Sequence, residues 1–201
     1  MEVVPGKTGK RGEHTNRVGI YGGSFDPVHH AHVLLARDAV EQLQLDKLYL
    51  VPAARSPHKE DRIPAPAEVR YQMVCAAIEG EQKLLPSRIE LDRPPPSYAI
   101  DTVLAFLERE GPGTEIFYLI GQDNLPALHT WHRYEELEKL VTFVILARPG
   151  CGPLPEGRFT LGRRLDLSAT EIRNRIAKGL SVRYLVPDAV DVLIRRHQLY
   201  L

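Results

Sequence analysis

Short apolar runs alternate along this chain with longer stretches in which apolar residues return every three to four positions. The runs at Arg17–Tyr21, Lys47–Val51, Arg88–Leu91, Glu115–Ile120 and Val141–Ala147 predict strands, with a shorter one expected at Arg164–Leu167. The helical period predicts helices at Ala31–Leu43, Ala67–Glu79, Tyr98–Glu110, Tyr134–Leu140, Ala169–Lys178 and Asp188–His197. Strands that are apolar almost throughout need cover on both faces, and helices connecting successive parallel strands provide it. The expected fold is therefore α/β, a doubly wound parallel sheet with right-handed crossovers and further helices at the C-terminal end. In such a sheet, ligands bind beyond the carboxyl ends of the strands.

Composition narrows this picture. The 201 residues suffice for one domain with a sizeable core. Residues 1–17 are rich in Gly, Lys, Arg and Thr without apolar periodicity and read as a flexible tail, leaving 18–201 as a single domain. Gly6-Lys7-Thr8 looks like the end of a phosphate-binding glycine loop, but no strand precedes it and the first glycine is missing. The formal net charge is zero, which argues against a broad basic face for nucleic acid or an anionic membrane. No apolar run approaches membrane-spanning length, and the polar N-terminus does not read as a signal peptide. Cys75 and Cys151 form no CxxC pair. A cytoplasmic protein is expected.

The chemistry concentrates in a few segments. Gly22-Gly23-Ser24-Phe25-Asp26-Pro27-Val28-His29-His30-Ala31-His32 joins the first strand to the first helix. Its glycines permit a tight turn and close approach of a ligand to the backbone. The helix start offers unpaired N–H groups and a positive dipole end. His29 and His32 lie three apart and share a face once the helix begins. Each histidine alone could be structural. A metal could also use the pair, although no third ligand is near in sequence. Leu167-Ser168-Ala169-Thr170-Glu171-Ile172-Arg173 carries a capping box, Ser168 to Glu171, at a helix start that is also an anion site. Gly121-Gln122-Asp123 ends a strand where Asp123 could accept from ribose hydroxyls or cap the next helix. Trp131, the only tryptophan, could be packing or a ligand platform.

The first segment resembles the GGTFDPxHxGH signature of the HxGH nucleotidyltransferases. The chain most resembles the bacterial nicotinate mononucleotide adenylyltransferases, with Ala31 where that family has glycine. The second segment is similar to the superfamily's ISSTxIR. Gly121 to Trp131 resembles GxDxLxxLxxW. Ser97-Tyr98-Ala99-Ile100-Asp101-Thr102 resembles SYTxDT, with Ala99 replacing threonine. Pro57-His58-Lys59, the Arg70 region and Leu146-Ala147-Arg148-Pro149 extend the likeness, which covers nearly all of the chain beyond the tail.

The resemblance implies a Rossmann-like fold and adenylyl transfer from ATP to nicotinate mononucleotide, with Mg²⁺ accompanying the ATP and no dedicated metal site. It implies His29, His32 and Arg173 as catalytic residues. It implies ATP binding by Gly22, Gly23, Ser24, Phe25, His29, His32, Gly121, Asp123, Arg148, Ser168, Thr170 and Arg173. Lys59, Ser97, Tyr98, Thr102 and Trp131 would bind the nicotinate nucleotide. Sister enzymes acting on nicotinamide mononucleotide or pantetheine phosphate stay open, as does a nucleotide-binding sensor that kept the fold and lost activity.

Overall fold

The computed structural model describes residues 15–54, 63–154 and 159–201. Lys59 and the rest of its Pro57–Lys59 segment lie outside the described residues, as do the Gly6–Thr8 motif and most of the expected tail. Asn16 and Arg17, at the end of that expected tail, are held in place. The Asn16 carbonyl accepts from the Glu115 N–H at 2.9 Å, and the Arg17 N–H donates to Asp46 Oδ2 at 2.8 Å.

Strands β1 (Arg17–Gly23), β2 (Lys47–Pro52), β3 (Leu84–Pro86), β4 (Glu115–Gly121), β5 (Val141–Leu146) and β6 (Phe159–Leu161) form one sheet in the order β3-β2-β1-β4-β5-β6. Every pairing is parallel. This is the doubly wound order, in which the chain leaves the centre in opposite directions and opens a crevice between β1 and β4. The helices are α1 (His30–Gln42), α2 (Ala67–Ala77), α3 (Ala99–Glu110), α4 (Tyr134–Leu140), α5 (Ala169–Ala177) and α6 (Asp188–Arg196).

Alternation along the strands divides the core in two. Leu48, Leu50, Phe117, Leu119, Val144 and Leu146 face one layer, where Ala36, Met73, Ile172 and Val190 cover them. Their neighbours Tyr49, Val51, Tyr118, Ile120, Phe143 and Ile145 face the other, beneath Ile100, Phe106 and Leu137. A period of two with apolar residues at both phases is what a sheet covered on both faces requires.

Two expected strands are corrected. Arg88–Leu91 forms a turn instead, closed by the Leu91 N–H donating to the Arg88 carbonyl at 2.7 Å. The strand lies just before it, at Leu84–Pro86, with Leu84 buried beside Leu48. Pro86 has no N–H for a further neighbour, which suits the sheet's edge. Arg164–Leu167 is irregular, and the edge strand is Phe159–Leu161, whose Leu161 is buried in the core. The segment after β6 is tied down by an ion pair between Arg163 and Asp38 on α1.

At the amino ends of the central strands lies an ionic cluster. The Glu110 side chain is 6% exposed and accepts from Lys47 Nζ at 2.7 Å and Tyr49 Oη at 3.0 Å. Arg109 also donates to it, at 3.0 Å. Burial pushes the Glu110 carboxyl up, but these hydrogen bonds outweigh burial and hold it below the usual value. A depressed carboxyl stabilises the fold above its unfolded pKa, and that contribution is lost as pH falls through the folded value. Glu110→Ala is expected to destabilise by about 1–3 kcal/mol at neutral pH, with Lys47 and Arg109 partly screened by water. Urea unfolding across pH should show the gap between wild type and variant closing in acid.

Candidate active site

The site grows from the turn between β1 and α1. Gly22 follows the buried part of β1, which ends at Tyr21, and a Cβ there would stand 2.9 Å from Tyr118 Oη, so a side chain would collide with the neighbouring strand's phenol. Phe25 follows with φ of +45° and is buried. A left-handed backbone at an aromatic residue is unfavourable and must be held by its surroundings. Three side chains from elsewhere do so. Arg70 Nη1 donates to the Ser24 carbonyl at 2.7 Å. Arg173 Nη1 donates to the Asp26 carbonyl at 2.8 Å. Tyr200 Oη donates to Asp26 Oδ1 at 2.7 Å.

His29 stands at the N-cap of α1 with extended backbone. Its N–H donates to His32 Nδ1 at 3.2 Å, and the two rings stack with centroids 3.7 Å apart. Accepting at Nδ1 fixes the neutral form of His32 as the tautomer with its proton on Nε2. His29 is 2% exposed, and its Nδ1 has no hydrogen-bond partner among the described residues. Burial above all, with Arg148 and His30 adding to it, pushes the His29 imidazole down to about 3. The pair therefore presents at least one neutral imidazole at physiological pH. Phe25 also packs edge-on against His32, at 5.1 Å.

The second segment comes to the same place. Ser168 caps α5, accepting from the Glu171 N–H at 3.1 Å. One turn on, Arg173 Nη2 donates to Thr170 Oγ1 at 3.0 Å while Nη1 holds the Asp26 carbonyl. Residues nearly 150 positions apart thus share one guanidinium.

Across the crevice, Gly121 leads from β4 into a 3₁₀ helix, Gln122–Thr130. A Cβ on Gly121 would lie 2.3 Å from Asp123 Oδ1. Asp123 does not cap this helix: Gly121 is its N-cap, and exposed Asp123 instead pairs with Arg148 at 3.5 Å. Buried Gln122 fixes the loop that carries Arg148. Its Oε1 accepts from the Arg148 N–H at 3.2 Å, and its Nε2 lies 3.1 Å from the carbonyls of Cys151 and Pro153.

Of the expected acceptor-binding residues, Ser97, Tyr98, Thr102 and Trp131 are described, with Ser97 bonded just beyond β2 and Trp131 packed against β4. Tyr98 lies against His132 with ring centroids 4.3 Å apart, and Trp131 meets Tyr118 edge-on at 6.1 Å. Thr102 is wholly buried, so the structure places its hydroxyl in a positioning role. It donates to Glu90 Oε1 at 2.8 Å and accepts from Arg93 Nη2 at 2.6 Å. The Ser97 hydroxyl accepts from the Ala54 N–H at 3.2 Å and also hydrogen bonds Glu90. Burial pushes the Glu90 carboxyl up, against these hydrogen bonds and Arg93. Glu90, Gln122 and Tyr200 escaped the sequence reading, and Arg70 entered it only as part of a region. Arg70 had a local signal, a cation inside the apolar stripe of α2, where it is buried and donates to the carbonyls of Ala65, Ser24 and Ala54.

Residues 20–175 match the family model described as cytidylyltransferase-like. A probable nicotinate-nucleotide adenylyltransferase of Thermus thermophilus is 45% identical over 189 residues, covering 92% of this chain and 99% of that protein. The chain belongs to this nucleotidyltransferase family. A second probable nicotinate-nucleotide adenylyltransferase, from Exiguobacterium sibiricum, is 44% identical over 92% of this chain and 98% of its own. The fold matches that of Plasmodium falciparum nicotinic acid mononucleotide adenylyltransferase complexed with NaAD, with a TM-score of 0.75 and 19% identity. That match covers 92% of this chain and 97% of the other. The family's members are adenylyl-transferring enzymes of NAD biosynthesis, and the clustering of both signature segments around one turn is how this chain builds their fold.

The His29 geometry makes a pH prediction. The unfolded chain takes up a proton near 6.5 that the folded chain refuses down to about 3. Stability should therefore decline as pH falls through that window. His29→Asn should flatten the decline in urea unfolding, and wild-type imidazole resonances of His29 should not titrate between pH 5 and 8.

Proposed function

We propose that this chain joins ATP to nicotinate mononucleotide, releasing pyrophosphate and forming nicotinate adenine dinucleotide, in the cytoplasm. The observation that carries the reading is the Arg173 hydrogen bond to the Asp26 carbonyl, which unites the histidine turn and the α5 start in one site.

The acceptor's 5′-phosphate oxygen attacks the α-phosphorus of ATP. A bond forms from that oxygen to phosphorus, and the bond from phosphorus to the bridging β-oxygen breaks. The nucleophile is already an anion near neutral pH, so no general base is required. The protein's task is alignment and stabilisation of charge. His32, with Nε2–H as its donor, serves the α and leaving phosphates. Backbone N–H groups of Gly23, Ser24 and Phe25 line the turn. Ser168, Thr170 and Arg173 take the β and γ phosphates at the start of α5. Gly121, Asp123 and Arg148 receive the adenosine side, with Gln122 holding the Arg148 loop. His29 contributes as a neutral donor.

Among the described residues no group of three or more His, Cys, Asp or Glu is placed to hold a metal ion. This donor set fits Mg²⁺ that arrives on the triphosphate and keeps its waters, neutralising phosphate charge. No described helix is long and apolar enough to cross a membrane.

For the acceptor, Trp131 and Tyr98 offer aromatic faces. The hydroxyls of Ser97 and Thr102 are engaged with Ala54, Glu90 and Arg93, and Ala99 has none. Recognition then falls to the N–H groups at the start of α3, whose positive dipole end, partly offset by Asp101 in the same turn, suits a carboxylate better than a neutral amide. This favours nicotinate mononucleotide over nicotinamide mononucleotide.

Pyrophosphate release should be followed with Mg²⁺, ATP and each candidate acceptor. Turnover with nicotinate mononucleotide is expected to exceed that with the amide or with pantetheine phosphate. ATP binding without turnover on any acceptor would indicate a sensor. His32→Ala should lower kcat by about 10²–10³, the typical loss of a donor acting in the transition state, with thermal unfolding unchanged. Trp131→Ala should raise KM for the acceptor far more than KM for ATP; equal losses would make the ring a packing residue.

A further inference from the structure

The turn that carries the histidine signature is held from three directions, and two of its holders, Arg70 and Tyr200, come from outside both signature segments. Helix α6 packs against α2, burying Val190 and Ile194 in the same core layer as Met73 and Val74. Beyond α6 the chain turns back, with Leu199 packed on that layer. Tyr200 then reaches Asp26, donating its phenol to Oδ1 at 2.7 Å, while the Ala65 N–H donates to the same oxygen at 3.2 Å. Asp26 is 2% exposed, so its carboxylate relies on protein donors. The peptide carbonyl of this residue is the one that Arg173 grips. Burial pulls both Arg70 and Arg173 down, and Tyr200 opposes it at each, which places the phenol within electrostatic reach of both guanidinia.

We propose that Tyr200 is a positioning residue for triphosphate binding: its hydroxyl fixes the Asp26 carboxylate, and through the Asp26 peptide it sets the aim of Arg173. The proposal rests on the adenylyl-transfer reading. It extends the site to a residue that neither signature contains. Without the phenol hydroxyl, the Asp26 side chain loses a donor it cannot replace from water, and its peptide is no longer held in the plane that Arg173 meets.

Tyr200→Phe keeps the ring and removes only the hydroxyl. Binding of a non-hydrolysable ATP analogue with Mg²⁺, measured by calorimetry, should weaken roughly tenfold or more, as expected for one hydrogen bond to a charged group. KM for ATP should rise in step, and KM for the acceptor should stay within about twofold. Leu199→Ala removes packing from the same segment but keeps the phenol. It should lower the melting temperature and leave analogue affinity within about twofold. Unchanged affinity in Tyr200→Phe, equal losses in the two variants, or equal losses for both substrates would overturn the proposal. Wild type that binds the analogue and turns over while Tyr200→Phe matches it would sink this proposal alone. Wild type that binds no nucleotide would overturn the functional reading, and the proposal with it.

Discussion

The hydrogen bond from Arg173 to the Asp26 carbonyl couples two segments that the chain keeps 147 residues apart. Its geometry depends on the strand order. Because β1 and β4 sit side by side at the centre and the chain leaves them in opposite directions, a crevice opens at their carboxyl ends. The β1 turn enters it from one side and the β4 turn from the other. Helix α5, which follows the last edge strand, returns over the layer that contains α1, so its first turn faces the start of the chain's first crossover. A guanidinium there can span from an α5 hydroxyl to the β1 turn. A lysine's compact, freely rotating ammonium would lack the planar fork that fixes the direction of both bonds.

That bond also explains why the turn tolerates an unfavourable backbone. Phe25 has positive φ and is buried, which an isolated loop would not maintain. Arg70 and Arg173 each spend a charged donor on a neighbouring peptide carbonyl, and such donors are stronger than neutral ones. Both arginines thereby act on the backbone as scaffold. Arg70 is entirely committed in this way, to three carbonyls, while Arg173 is only partly buried and keeps one face toward the site. Two residues of the same type thus differ by burial, Arg70 closed into the framework and Arg173 still reached by solvent.

Much of this was legible in the order of residues. The strands β1, β2, β4 and β5 and all six α-helices fall within a few residues of the expected positions, because long apolar runs and helical periodicity are strong signals. The edge strands β3 and β6 have three residues each, too short for a pattern to accumulate, and tertiary pairing decides them. The 3₁₀ helix at Gln122–Thr130 contains Pro126 and was not among the expected helices, since it lacks the apolar return of an α-helix. In the site, the glycines, the histidine pair and the α5 cap were visible because their chemistry is local. Glu90, Gln122 and Tyr200 were not, because each acts on a segment distant in sequence. Thr102 shows the reverse case. Its hydroxyl was visible as a ligand candidate, but only packing reveals that Glu90 and Arg93 already occupy it.

The stacked imidazoles set how charge can be handled here. With ring centroids 3.7 Å apart, two imidazolium ions would repel strongly in a site largely closed to water. Burial settles the matter by holding His29 neutral, with Arg148 and His30 pressing in the same direction. His29 can therefore supply a directed N–H donor without a positive charge of its own. Permanent positive charge stands instead on opposite walls of the crevice, with Arg173 on α5 and Arg148 after β5. The division suits an in-line displacement. Under the proposed reaction, a neutral donor would align the reacting phosphorus without binding the ground state too tightly, and the permanent charges would hold the rest of the nucleotide.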